Sequence, residues 1–352
     1  MTRSPGFVFV ASLFALGCTP AAPADSGPVV DSGSSQDSAA PPDTGPDLCA
    51  APAKGAVSLP VDDAAHDEAI EWWYWTGHLQ ADDGRWFGFE QVFFQFAMGT
   101  SDFAMAHHAV LDVDADIFAK SMTFEGATYS EAENGYALAL GALTASGGDG
   151  QDTLHGEVED YALDLTLSDS KTPVLHHGTG YVDYDFGGHT YYYSRSRMAA
   201  EGTLQVGDES LAVTGSGWFD HQWGLLGSAV NSGWDWFALQ LDDGSEVMIY
   251  VIRSGGTASL VGGTHFSADC ETTEIAPEDF ALTALGEWTS PTSGCTWPMG
   301  WELQVGDATY TVSPIREDQE MYNAMMPYWE GAAMVSGSGT GRAYVELTGY
   351  CS

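Results

Sequence analysis

Lysine and arginine are scarce in this 352-residue chain: together they total 10, against 50 aspartates and glutamates, and the formal net charge is −40. So acidic a protein repels nucleic acids and anionic membrane surfaces, and both are excluded as partners. The acidity is typical of a solvated surface on an exported protein, with calcium binding or adaptation to salt as the lesser alternative. A folded core is still expected, because 12 Trp, 15 Tyr and 16 Phe supply apolar area.

Several motifs of common enzyme classes are also missing. The chain has no Gly-x-Ser-x-Gly elbow, no Walker loop and no dinucleotide-binding fingerprint, which argues against serine hydrolases and nucleotide-dependent enzymes. No Cys-x-x-Cys spacing occurs, and the adjacent pairs His107-His108 and His176-His177 cannot easily reach one metal ion from a strand. We therefore expect no cofactor and no metal site.

The N-terminus is typical of an exported protein. In residues 1–17 a single arginine precedes an apolar run too short to span a bilayer, as in a signal peptide. Ala15-Leu16-Gly17-Cys18 resembles a bacterial lipobox, whose cysteine carries the lipid of the mature protein. Residues 18–48 are rich in Pro, Ser, Ala and Asp and predict a disordered tether. We expect an outer-membrane or cell-surface lipoprotein that meets the membrane only through its lipid anchor, with plain secretion as the alternative.

Four further cysteines would then lie in a compartment where disulfides form, and they are Cys49, Cys270, Cys295 and Cys351. Four cysteines allow three pairings. We favour one bond between Cys270 and Cys295 within a single domain. A second bond, between Cys49 and Cys351, would join the two ends of the folded region.

The composition favours strands over helices, because the chain has 42 glycines, many Val, Thr and Tyr residues and only three lysines. Trp72–Leu79 and Trp86–Phe96 flank an Asp-Asp-Gly turn and predict a hairpin. The same pattern returns at Trp234–Leu241 and Glu246–Arg253. Helix should be scarce, and Pro314–Gly331 is the one segment that could form one.

A second internal match points to a duplication, since Leu204–Asp208 and Leu303–Asp307 share the sequence Leu-Gln-Val-Gly-Asp. Two matches in the same order predict a duplicated all-β protein with a boundary near Leu225–Gly233. We place the two domains at residues 49–228 and 229–352. Barrels are favoured over sandwiches, because closure removes exposed strand edges.

Glu71 precedes a run of four aromatic residues, Trp72-Trp73-Tyr74-Trp75. Alternation along a strand would place Trp72 and Tyr74 on one face. Trp73 and Trp75 would lie on the other face, and one of the two faces must form a core or the wall of a cavity. Core packing, with Glu71 as a hydrogen-bonded carboxylate at the strand start, competes with stacking of a ligand on Trp73 or Tyr74.

The segment Gly217–Gly224 concentrates reactive side chains, because it places Asp220 next to His221 between tryptophans that include Trp223. A buried acid or imidazole here could have its pKa shifted into the range of acid–base catalysis. Neighbours on a strand face opposite ways, so Asp220 and His221 would share a site only at a turn or bulge. A structural hydrogen bond between the two is the alternative interpretation.

The segment Tyr181–Met198 contains three consecutive tyrosines, of which Tyr192 is the middle one, and two of the few basic residues, Arg195 and Arg197. Arginines this scarce either neutralise a buried carboxylate or hold a polar group of a ligand, and the ion pair is the commoner use. Tyr192 and Arg195 are the candidate ligand contacts from this segment.

Taken together, these motifs resemble the AttH family, which includes the CrtC-like carotenoid 1,2-hydratases (hydroxyneurosporene synthases) and lipocalin-like proteins described as predicted secreted hydrolases. The resemblance implies an all-β fold of two lipocalin-like β-barrel domains in tandem. It rests on six segments that span most of residues 65–351, namely Glu71–Leu79, Gly84–Phe94, Tyr191–Ser194, Asp220–Gly224, Tyr328–Gly331 and Val345–Tyr350.

Activity varies within that family, which includes carotenoid hydratases, relatives of plant-isoflavonoid hydratases and fungal pericyclases, so the fold does not fix the reaction. For the hydratases, the resemblance implies roles for His221, Trp223 and Tyr250. It also implies a catalytic aspartate at the position that Ile252 occupies here. This chain therefore lacks that proton donor, and Asp220 or Glu71 could replace it.

Two functions fit the sequence. The first is an enzyme of hydratase or hydrolase type that acts on a hydrophobic, isoprenoid- or polyketide-like small molecule at a barrel mouth or at the domain interface. Asp220 or His221 would then be the acid or base. Trp73, Trp223 and Tyr250 would line the site. The second is a surface protein that binds an apolar ligand in a lipocalin-like cavity without transforming it.

Overall fold

The computed structural model describes residues 55–98, 101–126, 130–132, 135–184, 187–226, 233–254, 257–322 and 327–351. Within these ranges the chain forms β-strands and three short 3₁₀ turns, at Val61–Asp63, His176–Gly178 and Pro277–Asp279, and no α-helix. No helix in the described ranges is long and apolar enough to cross a membrane. The predicted signal peptide, the tether, Cys18 and Cys49 lie outside the described residues and stay predictions.

The first sheet has 13 strands. They are β1 (Ile70–Ala81), β2 (Trp86–Met98), β3 (Ser101–Asp112), β4 (Ile117–Gly126), β5 (Ser130–Ala132), β6 (Gly135–Leu140), β7 (Leu143–Gly148), β8 (Gln151–Val158), β9 (Tyr161–Asp169), β10 (Val174–Leu175), β11 (Tyr181–Asp183), β12 (Gly188–Val206) and β13 (Glu209–Leu226). The strand order is β4-β3-β2-β1-β13-β12-β9-β8-β7-β6-β5, and β10 and β11 pair with β12. The aromatic side chains of Trp73, Trp75 and Phe219 fill its concave side.

The second sheet has 10 strands. They are β14 (Trp234–Leu241), β15 (Glu246–Ser254), β16 (Thr257–Phe266), β17 (Thr272–Ile275), β18 (Phe280–Thr289), β19 (Thr296–Val305), β20 (Ala308–Pro314), β21 (Glu320–Met321), β22 (Tyr328–Gly337) and β23 (Gly341–Thr348). The order is β17-β16-β15-β14-β23-β22-β20-β19-β18, and β21 pairs with β22. Trp297, Trp301 and Trp329 fill its core. One sheet is a nearly closed barrel and the other a half-barrel, which confirms the predicted all-β, lipocalin-like architecture.

The two hairpins that share an Asp-Asp-Gly turn occupy equivalent places. The hairpin β1–β2 lies in the order β2-β1-β13-β12, and the hairpin β14–β15 lies in the order β15-β14-β23-β22. The turn glycines Gly84 and Gly244 have φ values of +96° and +87°, a region that side chains with a Cβ rarely adopt. The chain passes from the first sheet to the second between Leu226 and Trp234.

The second sequence match does not mark equivalent places. Leu204–Asp208 connects β12 to β13, whereas Leu303–Asp307 connects β19 to β20. In the second sheet the counterparts of β12 and β13 are β22 and β23. Gly207 and Gly306 both have a φ of +56°, so the shared sequence reflects the same type of tight turn. The duplication therefore rests on the first match and on the strand order.

The predicted disulfide pairing is wrong. Cys295 is bonded to Cys351, with Cα atoms 4.7 Å apart. Cys270 is also disulfide-bonded, so its predicted bond to Cys295 and the predicted bond of Cys49 to Cys351 are both excluded. The reason is topological: Cys295 precedes β19 and Cys351 follows β23, and the second sheet brings these distant segments together beside Trp297 and Tyr350.

The segment Pro314–Gly331, which the sequence analysis allowed as a helix, contains no helix in its described residues. Glu320 and Met321 form β21, which pairs with β22. The chain between β20 and β21 is irregular, with bends at Ile315 and Glu317. The Gln319 side chain holds it in place: the amide N–H groups donate to the carbonyls of Arg316 and Ala332, and the amide oxygen accepts from the Ala332 N–H. Tertiary hydrogen bonding has therefore overridden the local preference.

Candidate functional site

Alternation along β1 decides which aromatic residues reach the site. Trp73 and Trp75 point into the core of the first sheet. Trp72 and Tyr74 point the other way, into a cluster that fills the space between the two sheets. The predicted split of these four residues into two faces is confirmed, and the outward face is the one that lines a cavity.

The strand β13 separates Asp220 from His221 in the same way. Its pairing with β1 is continuous, with Tyr74 opposite Asp220 and Trp73 opposite His221. The register shift in β12 lies elsewhere, between Arg195 and Met198. Because no bulge interrupts this part of β13, Asp220 faces the space between the sheets and His221 faces the first core. The two residues do not share a site, and they do not form a hydrogen-bonded pair.

A cavity of about 190 Å³ lies between the two sheets. Its wall is mostly aromatic and aliphatic, and a few polar groups converge on it. The lining residues are Ile70, Trp72, Tyr74, Phe94, Phe96, His107, Val182, Tyr184, Tyr192, Asp220, Gln222, Leu226, Trp234, Trp236, Tyr250, Ile252, Tyr328, Glu346 and Thr348. Four of the predicted site residues line this cavity, namely Tyr74, Tyr192, Asp220 and Tyr250. Such a wall suits a small apolar molecule with one polar group.

Asp220 is the carboxylate of the first sheet in this cavity, and it is almost fully buried. It accepts hydrogen bonds from the Tyr192 hydroxyl at 2.5 Å, from the Trp218 indole N–H at 2.6 Å and from the Ser194 hydroxyl. Burial raises the pKa of Asp220 from 3.8 to about 6, and the three donors oppose that shift. Asp220 is therefore an ionisable group poised between acid and base near neutral pH.

Glu346 is the second carboxyl group in the cavity, and it belongs to β23 of the second sheet. Burial raises the pKa of Glu346 from 4.5 to about 7, and the negative charge of Asp220 adds to the shift. The hydrogen bond from Trp234 acts in the opposite direction. Two carboxyl groups of different acidity therefore face one apolar space.

Glu346 was not among the site residues predicted from the sequence, although the sequence around it contains a signal. Val345 and Leu347 flank it, and both point into the core of the second sheet. An acid between two core residues of a strand must face the other side, which is normally solvent. Here that side is covered by the first sheet, and only the tertiary structure shows this.

Two further carboxyl groups are buried behind the cavity. Glu90 of β2 has no hydrogen-bond partner for either oxygen among the described residues. Glu330 of β22 accepts a hydrogen bond from the Tyr74 hydroxyl. Burial raises the pKa of both carboxyl groups well above the usual range, and their proximity to Glu346 adds to the rise. Burial therefore favours the protonated, neutral form of both groups.

His107 and Tyr328 also line the cavity and were not among the predicted site residues. The Tyr328 hydroxyl is hydrogen-bonded to His107 Nδ1. Burial lowers the pKa of His107 to about 3, so the ring is neutral. Its Nε2 has no hydrogen-bond partner in the described part of the chain.

His176 and His177 are adjacent in the sequence, but their side chains form hydrogen bonds that lead to two different cavity residues. His176 Nε2 lies 2.7 Å from the hydroxyl of Ser194, which donates to Asp220. His177 Nε2 lies 3.0 Å from the Tyr250 hydroxyl, and its Nδ1 lies 2.6 Å from a carboxylate oxygen of Glu274.

Glu274 is exposed, so Glu274, His177 and Tyr250 form a hydrogen-bonded chain from the protein surface to the cavity. Two histidines can diverge in this way because they lie in a 3₁₀ turn, where His177 has a φ of +53°.

The remaining predicted site residues lie away from the cavity. Trp73, Trp223 and His221 belong to the first core, and His221 Nε2 lies 2.8 Å from Glu71. The family resemblance placed His221 and Trp223 in one site with Tyr250, but the structure puts Tyr250 in the cavity and the other two on the opposite face of β13.

Arg195 does not face the cavity. It is fully buried in the first core and bonds both oxygens of Asp152, at 2.5 and 2.7 Å. Its guanidinium group lies 4.4 Å from the centre of the Phe219 ring. Arg197 pairs with Glu246. Both arginines of this segment therefore neutralise carboxylates, which was the favoured alternative in the sequence analysis.

The comparisons with known proteins agree with this fold. The profile of the AttH-like family matches residues 50–350. A protein from Nitrosomonas europaea described as an AttH is 28% identical, with a TM-score of 0.79, and the match covers 86% of this chain and 100% of that one. Kievitone hydratase from Nectria haematococca is 18% identical, with a TM-score of 0.68, over 85% of this chain and 96% of that one. Comparison with curated proteins gives no match. This chain belongs to the AttH-like family.

Proposed function

We propose that this chain is an enzyme of hydro-lyase type, which adds water to a carbon–carbon double bond of a small apolar molecule held between the two sheets. The observation that carries the proposal is the pair of carboxyl groups, Asp220 and Glu346, in one apolar cavity. Their pKa values are raised to about 6 and about 7. Hydration of an unactivated alkene needs a neutral acid to protonate carbon and a base to take a proton from water.

The environments of the two groups assign their roles. Asp220 accepts three hydrogen bonds, which favour its ionised form, so it is the base. Glu346 has the higher pKa and is the acid. Its proton adds to one alkene carbon, the π electron pair forms the new C–H bond, and the adjacent carbon becomes a cation. Water forms the C–O bond to that cation and gives its proton to Asp220.

The aromatic wall suits the cationic intermediate of this reaction. Trp72, Trp236 and Tyr74 present their rings to the cavity, with Tyr74 and Trp236 in an edge-to-face contact at 5.4 Å. The faces of such rings attract positive charge, most strongly where water is excluded.

After each turnover Asp220 must lose a proton and Glu346 must regain one. The chain from the Tyr250 hydroxyl through His177 to exposed Glu274 is suited to exchange protons between the cavity and solvent. Tyr250 thereby keeps a role in the proposed reaction, as a proton carrier rather than as the acid itself. Tyr192 holds Asp220 in place.

The proposed substrate is an isoprenoid- or polyketide-like molecule. The cavity is about 190 Å³, below the roughly 300–1,000 Å³ of typical ligand sites, which favours a compact molecule or one end of a longer chain. Hydration is the reaction to test first because one fold neighbour is named a kievitone hydratase, although that likeness concerns the fold alone.

A second candidate function is a carrier that binds an apolar ligand without transforming it. The observation that favours it is the predominantly apolar wall of the same cavity. The two functions differ in what the acids do: a carrier needs no acid–base pair, so replacing Asp220 or Glu346 would leave ligand binding largely unchanged.

The deciding experiment begins with mass spectrometry of small molecules that co-purify with the folded chain, compared with a heat-unfolded sample. An enriched alkene or alcohol is then incubated with the protein in heavy-oxygen water, where hydration places the label in the product. Asp220→Asn and Glu346→Gln should each slow turnover about 100-fold or more. Asp208→Asn, which changes an exposed turn residue, is the matched control. Ligand enrichment with no label incorporation would favour the carrier.

We also propose that the chain is exported and anchored by a lipid on Cys18, as the lipobox-like sequence supports. The expected result is incorporation of labelled palmitate into the wild-type chain and recovery of the protein with membranes. Cys18→Ser should abolish both while leaving the protein exported. Membrane recovery of the Cys18→Ser variant would contradict lipid anchoring.

A further inference from the structure

Two residues singled out by the sequence, Glu71 and His221, take no part in the cavity. They meet a third residue, His66, on the opposite face of β13. His66 Nδ1 and His221 Nε2 each lie 2.8 Å from the same oxygen of Glu71. The backbone N–H of His66 donates to the other oxygen of Glu71 at 2.9 Å. Three metal-ligating side chains therefore converge on one point.

We propose that His66, Glu71 and His221 form a binding site for a divalent transition-metal ion, with zinc as the first choice. The two imidazole nitrogens and the carboxylate oxygen all lie within 4.8 Å of one another. Two histidines and one carboxylate are a ligand set of catalytic zinc and of iron(II) sites. Magnesium and calcium prefer oxygen ligands and suit this set poorly.

Neighbouring side chains hold the two histidines in fixed orientations, as the ligands of a metal ion require. His221 uses its second ring nitrogen, Nδ1, in a contact of 3.3 Å with the Tyr193 hydroxyl, which donates to Asp63. Such a partner fixes the tautomer of a ligating imidazole, so that Nε2 is the nitrogen available to metal. The ring of His66 stacks on Trp223, with centroids 3.8 Å apart and an interplanar angle of 2°.

Two of the three proposed ligands are buried on paired strands, and the third is partly exposed. Glu71 and His221 belong to the paired strands β1 and β13 and are fully buried. His66 comes from the segment before β1, and 20% of its side chain is exposed. A metal ion can therefore enter from the side of His66. Three protein ligands leave a tetrahedral ion one position for water or another small ligand.

This site is contrary to the expectation from sequence, which rested on the adjacent histidine pairs and on the absence of a Cys-x-x-Cys spacing. His66 and His221 are 155 positions apart, and no spacing rule links them. Their separation from the cavity makes the proposal independent of the proposed hydratase activity. Metal binding can be measured without knowledge of any substrate.

The test is titration of the full chain, first stripped with a chelator, with Zn²⁺ in the presence of excess Mg²⁺. The magnesium occupies carboxylate-only sites on this acidic protein. One zinc per chain is expected. His66→Ala should weaken binding at least about 100-fold, and Tyr193→Phe, which removes only a support of His221, about 10-fold. His155→Ala should leave binding unchanged, since His155 also contacts two carboxylates, Asp164 and Glu157, but on the surface.

A second readout separates metal ligation from folding. Co²⁺ bound to a tetrahedral nitrogen and oxygen site gives visible absorption bands, which His66→Ala should abolish while its circular dichroism and thermal unfolding stay near wild type. The proposal is overturned if zinc is not retained against magnesium. It is equally overturned if His66→Ala and His155→Ala bind zinc as the wild type does.

Discussion

At the scale of single residues, neighbours in the sequence serve different parts of this molecule. Asp220 lines the cavity between the sheets, whereas His221 meets Glu71 within the first core. Likewise, Trp73 lies in the first core, whereas the next residue, Tyr74, lies between the sheets. Because a strand turns successive side chains to opposite faces, a concentrated motif such as Asp-His-Gln-Trp supplies two sites rather than one.

The raised pKa values of the cavity acids predict a pH dependence of stability. Between about pH 4 and pH 7 the folded protein holds protons on Asp220 and Glu346 that the unfolded chain releases. The contribution of these two groups to the free energy of unfolding should therefore fall as pH rises through this window, by an amount on the order of 3 kcal/mol for each group. Buried histidines such as His107, whose pKa burial lowers to about 3, contribute in the opposite direction, so the prediction concerns the difference between the wild type and variants that lack one of the two acids. Urea unfolding at several pH values measures the slope.

Asp220→Asn and Glu346→Gln should each make the change of stability with pH more positive than in the wild type, because neither replacement titrates. Asp208→Asn, in an exposed turn, should leave it unchanged. The same pH dependence of stability in the wild type and in all three variants would contradict the raised pKa values.

At the scale of secondary-structure elements, the long strand β12 joins several parts of the protein. Tyr192 on β12 contacts Asp220 in the cavity. Arg195, three positions further on, crosses the first core to Asp152 of β8. Arg197 reaches Glu246 of β15, which belongs to the second sheet. The bulge between Arg195 and Met198 lets the strand change the direction of these side chains.

The buried ion pair of Arg195 and Asp152 predicts a large loss of stability when only one partner is removed. Arg195→Met should lower the free energy of unfolding by about 3–5 kcal/mol, because the Asp152 charge is left buried and unpaired. Urea denaturation measures this loss. The double variant Arg195→Met/Asp152→Asn should recover part of it.

The matched control is Arg85→Met. Arg85 pairs with Asp83 and Glu209, which are exposed near a hairpin turn, and exposed ion pairs contribute little to stability. Equal losses in Arg195→Met and Arg85→Met would show that the buried pair has no special role in the first core.

At the scale of the whole molecule, the candidate site belongs to neither sheet alone. Asp220 and Tyr192 come from the first sheet, and Glu346, Trp236 and Tyr250 come from the second. The concave sides of both sheets are filled by their own aromatic side chains. The space for a ligand therefore lies between the sheets, at the predicted domain interface, rather than inside a barrel.

The disulfide of Cys295 and Cys351 predicts a contribution to the stability of the second sheet. The bond joins residues 56 positions apart, and closing a loop of that length stabilises a protein by about 4 kcal/mol in the chain-entropy estimate. The double variant Cys295→Ser/Cys351→Ser should lose a comparable amount in urea unfolding. Non-reducing peptide mapping should recover a Cys295–Cys351 peptide, and recovery of Cys270 linked to Cys295 would contradict the structure.

The local pattern of the sequence was enough for the fold class, the hairpins and the two faces of β1. These depend on alternation and on turn glycines such as Gly84 and Gly244, which act over a few residues. The family followed from motifs along the chain, and the role of Arg195 in an ion pair followed from the scarcity of basic residues. All of these features could be predicted because they depend on neighbouring residues, on short motifs or on the composition of the chain.

The tertiary structure alone decided the disulfide pairing and the position of the cavity. It also decided which residues meet in the cavity and which meet at the proposed metal site. Glu346 became a cavity residue only because the first sheet covers its face of β23. His66 met Glu71 and His221 only because β1 pairs with β13, about 150 residues away. Strand pairing over such distances depends on the packing of the entire chain, and no local pattern records which strands will meet.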